Sequence, residues 1–300
     1  MTSLASFRYR NILRANGGPL ARVELADITI LGKRAFQANA CLCDELVAWR
    51  SMGAVYGEAN GTGVDASPMV ARFKAVSEAL ERWAHMAVLT AGEGGRYGFD
   101  VDPSSNGMAA FPGLFARQAR RAAQLEASER FNLLSWWEGY LPALETESPW
   151  PEVRAVVLCS EVPGVTVILF RRSAAHGHYA YGHAAGSDFT SACESAAMEM
   201  ERHDHAVGRY LLAHAGAPGS AMPATAHPIE RRSVFFSTPE GHELFLGRLR
   251  SRPPHAARHP RVIFDGAVPG PWSRYADVWR VAYEPPSERF LGRDERYFFW

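Results

Sequence analysis

Cysteine is scarce, with four in 300 residues, and none has the paired spacing of a zinc site. Cys41 and Cys43 form a C-x-C pair that reads as one face of a strand, while Cys159 and Cys193 stand alone. An excess of charge is missing too: 32 basic residues balance 32 acidic ones. That balance argues against a nucleic-acid partner or an anionic-membrane surface. No apolar run approaches the roughly 20 residues of a membrane span. The start, MTSLASFRYRNILRANGGPL, lacks the apolar core of a secretory signal. A cytoplasmic location with no membrane partner is therefore expected. The motifs G-x4-G-K-[ST], G-x-G-x2-G and G-x-S-x-G are all absent. P-loop, Rossmann and hydrolase-elbow chemistry drop out with them.

What is present suits an ordinary globular chain, with 47% hydrophobic and 21% charged residues. The length allows one large domain, taken here as 1–300, with 229–300 as a C-terminal subdomain. RVELADITILG and RAFQANACLC read as strands, with turns at Gly17-Gly18 and Gly32-Lys33. A helix is predicted over Asp65–Val88, with Ser67 capping and Pro68 in first position. Gly92–Pro112 reads as a loop, and Gly113–Phe131 as a second helix. VRAVVLCSEVPGVTVILFRR predicts a hairpin about Val162-Pro163-Gly164, and HYAYGHAAG a following strand. A helix over about 189–215 leads to a Gly/Pro/Ala-rich linker near 216–228. ELFLGRLRSR then reads as helix, RVIFDG and YADVWRVAYEP as strands, and Arg293–Trp300 as a polar-aromatic tail. Hairpins without steady βα alternation predict an α+β fold of mixed, mainly antiparallel sheets packed with helices.

One signature occurs twice, about 121 residues apart. The first copy is Ala71-x3-Ala75-x2-Glu78-x2-Glu81-Arg82, behind a glycine turn at Gly61 and Gly63. The second is Ala192-x3-Ala196-x2-Glu199-x2-Arg202-His203, behind Gly186. Spacings of three and four align these side chains on one helix face. Lys74 precedes Glu78 by about a turn, and Ser195 precedes Glu199. Glu201 is expected to point away from Glu199. On a single helix such a pattern is ordinary surface ion pairing, worth a few tenths of a kcal/mol. Its recurrence behind two glycine turns favours two walls around magnesium and a polyphosphate. Magnesium takes one or two carboxylates plus phosphates, and arginine forks to phosphate oxygens.

At these residues the chain resembles the YcaO-domain family. Its members carry a G-x-G segment, then A-x3-A-x2-E-A-x-E-R on a helix, and later a second glycine segment with a similar acidic helix near E-R-D-A. GTG followed by ARFKAVSEALERW is similar to the first element. AAGSDFTSACESAAMEMERHDHA is similar to the second, with Asp204 at the family's aspartate. The best-matching region is 55–210. Two departures stand out: Thr62 where lysine is common, and Arg202 where an acid or glutamine is common.

The resemblance implies an enzyme dependent on ATP and magnesium that phosphorylates a peptide backbone amide after a nucleophile adds to it. Loss of phosphate gives an azoline, thioamide or amidine in a modified-peptide pathway. It implies Glu78, Glu81 and Glu199 as metal ligands, and Arg82 and Arg202 on phosphates. Gly61, Gly63, Lys74, Ser187 and Ser195 complete the implied ATP-binding set, and no catalytic base is assigned. The implied partners are a peptide or protein substrate and a separate leader-peptide-binding or sulfur-delivery protein, with a homodimer allowed. The alternative is a catalytically silent nucleotide-binding scaffold or partner-activating subunit.

His176, His178, His183, His203 and His205, with Asp204, suggest a transition-metal site and metal-dependent hydrolysis as an outside reading. A histidine-rich loop and helix end is the simpler one. Trp136-Trp137 and Tyr297-Phe298-Phe299-Trp300 read as core or interface aromatics.

Overall fold

The computed structural model describes residues 4–47, 53–99, 106–214, 228–287, 289–290, 292 and 294–299. In chain order its elements begin with α1 (Leu4–Arg8), β1 (Leu20–Ile30), β2 (Lys33–Leu42), β3 (Gly61–Asp65) and α2 (Pro68–Thr90). Next come β4 (Asn106–Phe111), α3 (Arg117–Glu138), β5 (Leu144–Glu147), β6 (Arg154–Leu158), β7 (Val165–Arg172) and β8 (Tyr179–Gly186). The chain continues through α4 (Phe189–Ala213), α5 (Pro228–Phe236), α6 (Pro239–Arg250), β9 (Arg261–Ala267) and β10 (Asp277–Glu284). The strands form three antiparallel sheets, so the expected α+β class with mainly antiparallel sheets is observed.

The chain forms two units from interleaved segments. The first comprises Met1–Arg50, Glu58–Ala127 and Arg261–Glu284. The second comprises Ser51–Gly57, Ser128–Pro260 and Pro285–Trp300. The stretch 229–300 therefore contributes to both: β9 and β10 to the first, and α5, α6 and the chain end to the second.

In the first unit, β1 and β2 form a long hairpin turned by Leu31 and Gly32, both at positive φ. That is the left-handed pair which a two-residue turn needs to match strand twist. β3 adds to β2, pairing Ala38 with Gly63 and Ala40 with Gly61. α2 packs on this sheet through its alanine stripe, Ala71, Ala75, Ala79 and Ala84, all fully buried. A second sheet in the order β4-β10-β9 completes the unit. There Arg280, 1% exposed, donates to the carbonyls of Tyr97 and Gly98 and to Asn106 Oδ1. These bonds offset the cost of burying a guanidinium.

Residues 92–112, expected to be a loop, include β4 over Asn106–Phe111. Its small residues NGMAAF lack the alternation that marks a strand, and pairing with the distant β10 makes it one. Positions 100–105 of that expected loop lie outside the described residues.

In the second unit, β5 to β8 form a four-stranded sheet in sequence order, with α4 packed on it. α3 runs on to Glu138, past the predicted end at Phe131. Leu133, Leu134, Trp136 and Trp137 on that extension are all buried, and so are its polar residues Asn132, Ser135 and Glu138, so no solvent-exposed face marks its end. They meet Phe236, Phe245, Tyr297 and Phe298 in an aromatic core, with Trp136 edge-on to Phe245 and to Phe298. The tail expected to be polar-aromatic is thus core at Tyr297–Phe299. The linker predicted near 216–228 lies, but for Pro228, outside the described residues.

Candidate functional site

Each signature helix is preceded by a strand, and the glycines sit in that strand rather than in a turn. A Cβ on Gly61 would overlap the Ala75 carbonyl oxygen and the Ala79 nitrogen; one on Gly63 would overlap the Ala71 carbonyl oxygen. Strand and helix backbones therefore touch, glycine facing alanine, which accounts for both residue types. In the second copy the same close approach is made by Gly182, against Ala196 and Met200, and by Gly186 against Ala192.

Along the first helix, Glu78 Oε2 accepts the Thr62 backbone N–H at 2.8 Å, and its Oε1 lies 3.4 Å from Arg82 Nη2. The Glu78 side chain is 31% exposed. Lys74 Nζ donates to the Val64 carbonyl at 3.0 Å and to Asp65 Oδ2 at 2.8 Å. Burial pushes the Asp65 carboxyl up, but the Lys74 bond and the Ser67 amide outweigh it and hold the pKa below its ordinary value. Lys74 is thereby anchored to the strand end.

Along the second helix, Arg202 Nη1 donates to both Glu199 oxygens, at 2.8 and 3.0 Å. Glu201 turns the other way and pairs with Arg171 of β7 at 2.9 Å, as its spacing predicts. Asp188 caps α4 by accepting the Ser191 amide, and Ser187 Oγ bonds Asp188. That capping by Ser191 holds the Asp188 pKa low. His203, where the first copy has Arg82, is buried. Its Nδ1 accepts from Tyr181 N and its Nε2 donates to the Ser233 carbonyl. Burial lowers its pKa to about 3, so it is a neutral core residue near pH 7. Ser195 is half-buried, one turn before Glu199.

A third copy lies on α3, 48 residues after the first: Ala119-x3-Ala123-x2-Glu126-x2-Glu129-Arg130. In the first unit Gly107 of β4 abuts Ala123 and Ala127, and the Met108 amide donates to Glu126 Oε2 at 2.9 Å. This reproduces the Gly61, Thr62 and Glu78 arrangement. In the second unit Glu129 is a strut: its Oε1 accepts from His183 Nδ1 at 2.7 Å and its Oε2 from the Ala185 amide at 3.1 Å. Self-comparison at an offset of 48 carries the signal for these residues. Glu230 had none: its carboxylate gathers the amides of Ala54, Val55 and Tyr56.

His176 and His178 lie in the turn before β8, not in a strand, with rings stacked 5.9 Å apart. His178 Nε2 is 3.2 Å from Asp204, which also meets Arg171 at 3.0 Å. Burial raises the Asp204 pKa, but His178, Ser173 and Arg171 together bring it below the usual carboxylate range. Among the described residues no three His, Cys, Asp or Glu side chains are grouped to hold a metal ion.

These strand–helix units and antiparallel sheets align with solved structures. One is the YcaO protein of Methanopyrus kandleri bound with AMPPCP and Mg2+, at TM-score 0.54 and 16% identity, covering 98% of this chain and 92% of that one. The fold is YcaO-like. The Escherichia coli microcin synthetase McbBCD complex with pro-MccB17 bound matches at TM-score 0.53 and 10% identity, over 86% of each chain. A heterocyclase in complex with substrate and cofactor matches at TM-score 0.54 and 10% identity, over 93% of this chain and 51% of that one. No protein-family model and no curated sequence matches. Among the described residues of this YcaO-like chain, no helix is long and apolar enough to cross a membrane.

Proposed function

We propose that this chain binds ATP and magnesium and activates a backbone amide of a peptide or protein. The observation that carries the reading is the Thr62–Glu78–Arg82 arrangement in a YcaO-like fold. The donor types fit. A carboxylate offers about four lone-pair sites, and the Thr62 amide occupies one, so Glu78 can still ligate a hard cation. Glu78, Glu81 and Glu199 are the proposed metal ligands. Arg82 and Arg202 are proposed for the phosphates, and Gly61, Gly63, Lys74, Ser187 and Ser195 for the rest of the nucleotide. Glu199 is held by Arg202, but that pair is half-exposed and worth only about 0.2–0.5 kcal/mol. Arg202 can therefore exchange its carboxylate for a phosphate at little cost.

ATP would supply the phosphoryl group that turns the amide oxygen into a leaving group. The chain's own contribution is to fix Glu78 by the Thr62 amide and to hold a guanidinium beside each of Glu78 and Glu199, Arg82 and Arg202. Support for a peptide substrate and a partner protein comes from the McbBCD complex and the substrate-bound heterocyclase of like fold. Formation of an azoline, thioamide or amidine is the proposed outcome, in the cytoplasm.

One observation favours a second reading, a nucleotide-binding scaffold or partner-activating subunit without turnover. Arg202 and the buried His203 stand where the first copy has Glu81 and Arg82. Magnesium-dependent ATP consumption stimulated by a candidate precursor peptide tests between them. Turnover supports the enzyme; nucleotide binding with no turnover for any peptide supports the scaffold.

A further inference from the structure

In the second unit, residues 53–57 form a short loop that is fastened in three ways. Glu230 of α5, 4% exposed, commits its carboxylate to three successive amides of the loop. Its Oε2 accepts from Ala54 at 3.2 Å, and its Oε1 from Val55 at 3.0 Å and Tyr56 at 3.3 Å. Desolvating a carboxylate is costly, and these bonds offset the cost. The loop also closes on itself, the Gly57 amide donating to the Gly53 carbonyl at 3.2 Å. Gly57 has a φ of 83°, and a Cβ on Gly53 would strike the Gly57 carbonyl oxygen, so the closure needs both glycines. Val55, 1% exposed, packs in a cluster with Ala206, Val207 and Tyr210 of α4 and Val234 of α5.

These anchors leave Tyr56 on display, 37% exposed. Burial of its hydroxyl end pushes the phenol pKa up, against a hydrogen bond to Ser233 and the charge of Arg202. Arg202 and Glu199 are the α4 charges that act on that hydroxyl. The packing agrees: Ala206 follows Arg202 by one turn, so a loop with Val55 at Ala206 runs along the face that carries Glu199 and Arg202.

A ring left partly in solvent adds little to the core, so packing alone does not account for its place. Its neighbours do. The side chains of Glu199 and Arg202 are 49% and 27% exposed, and charges so placed act weakly in water. A ring beside them removes water from one side, and charge interactions strengthen as the local dielectric falls.

On the reading that Glu199 and Arg202 meet magnesium and phosphate, we propose that Tyr56 is a wall of that site, shielding the pair from water, and that Glu230 is the positioning residue that holds the wall in place. Calorimetric titration of AMPPCP with magnesium tests this. Affinity should fall at least about fivefold in Tyr56→Ala and stay within about twofold in Tyr56→Phe, which keeps the ring. Between about 0.05 and 0.5 M NaCl, affinity should drop more steeply in Tyr56→Ala than in the wild type, because screening reaches charges that water reaches. A merely structural role predicts neither the rescue by phenylalanine nor the steeper salt dependence. Glu230→Ala should weaken binding as Tyr56→Ala does, and the double variant should be no weaker than Tyr56→Ala alone. Urea denaturation establishes that each variant is folded. Wild-type affinity or salt dependence in folded Tyr56→Ala, an equal loss in Tyr56→Phe, or additive losses in the double variant would each overturn the proposal and leave the nucleotide reading intact. Absence of magnesium-dependent binding by the wild type would overturn that reading, and the proposal with it.

Discussion

Glu78 reaches back from α2 to the backbone amide of Thr62 at 2.8 Å, and the bond joins a helix to the strand that its alanines already touch. Glu126 makes the same bond to Met108 at 2.9 Å. The motif is therefore first a joint between strand and helix, and a ligand role for its carboxylate is built on that joint. Where copies differ, the use of the joint differs. Glu199, the α4 counterpart of Glu78 and Glu126, bonds Arg202 rather than a strand amide among the described residues, while Glu129, the counterpart of Glu81, accepts from His183 and the Ala185 amide.

The joint at α3 is expected to be structural. Glu126→Ala leaves the amide of the buried Met108 without its acceptor, and should lower stability by about 1–3 kcal/mol. Urea denaturation checks the loss, and nucleotide affinity of the folded variant should be unchanged.

The strand glycines are expected to tolerate no side chain. Gly182→Ala drives a Cβ into the Ala196 carbonyl and the Met200 nitrogen, both backbone atoms that cannot swing aside. A loss of about 1–3 kcal/mol or more is predicted, read as a lowered denaturation midpoint. Gly247→Ala should do the reverse, gaining up to about 1 kcal/mol from helix propensity in open space.

Much of this was legible in local pattern. The β1–β2 and β6–β7 hairpins, β8, α2 and α4 follow their periodicity and turn residues closely. β4 was hidden because its residues are small and its partner β10 lies far along the chain. The end of α3 was hidden because Leu133, Leu134, Trp136 and Trp137 are buried together with the polar Asn132, Ser135 and Glu138, which leaves no solvent-exposed side to mark where the helix stops. For the site, the carboxylate helices were visible as spacing. That Glu78 is tied to Thr62 and Glu230 to the amides of 54–56 depends on backbone donors, which carry no side-chain signature.

Acid should weaken the second unit through His203. Burial holds its folded pKa near 3, below the ordinary 6.5, so the unfolded chain takes up the proton first. Its contribution is complete above about pH 6.5 and is lost as pH falls toward 3. The slope should reach about 1.4 kcal/mol per pH unit. Asp204, with its folded pKa lowered, adds its own loss only below its unfolded value near 3.8. Chemical denaturation between pH 7 and 4.5 checks this, and His203→Gln should flatten the slope.

The most direct test of the central claim is a calorimetric titration of AMPPCP with and without magnesium into the wild type, Glu78→Gln and Glu199→Gln. The account predicts magnesium-dependent binding by the wild type, weakened at least about tenfold in each folded variant. Wild-type affinity in both variants, or no magnesium-dependent binding by the wild type, would contradict it.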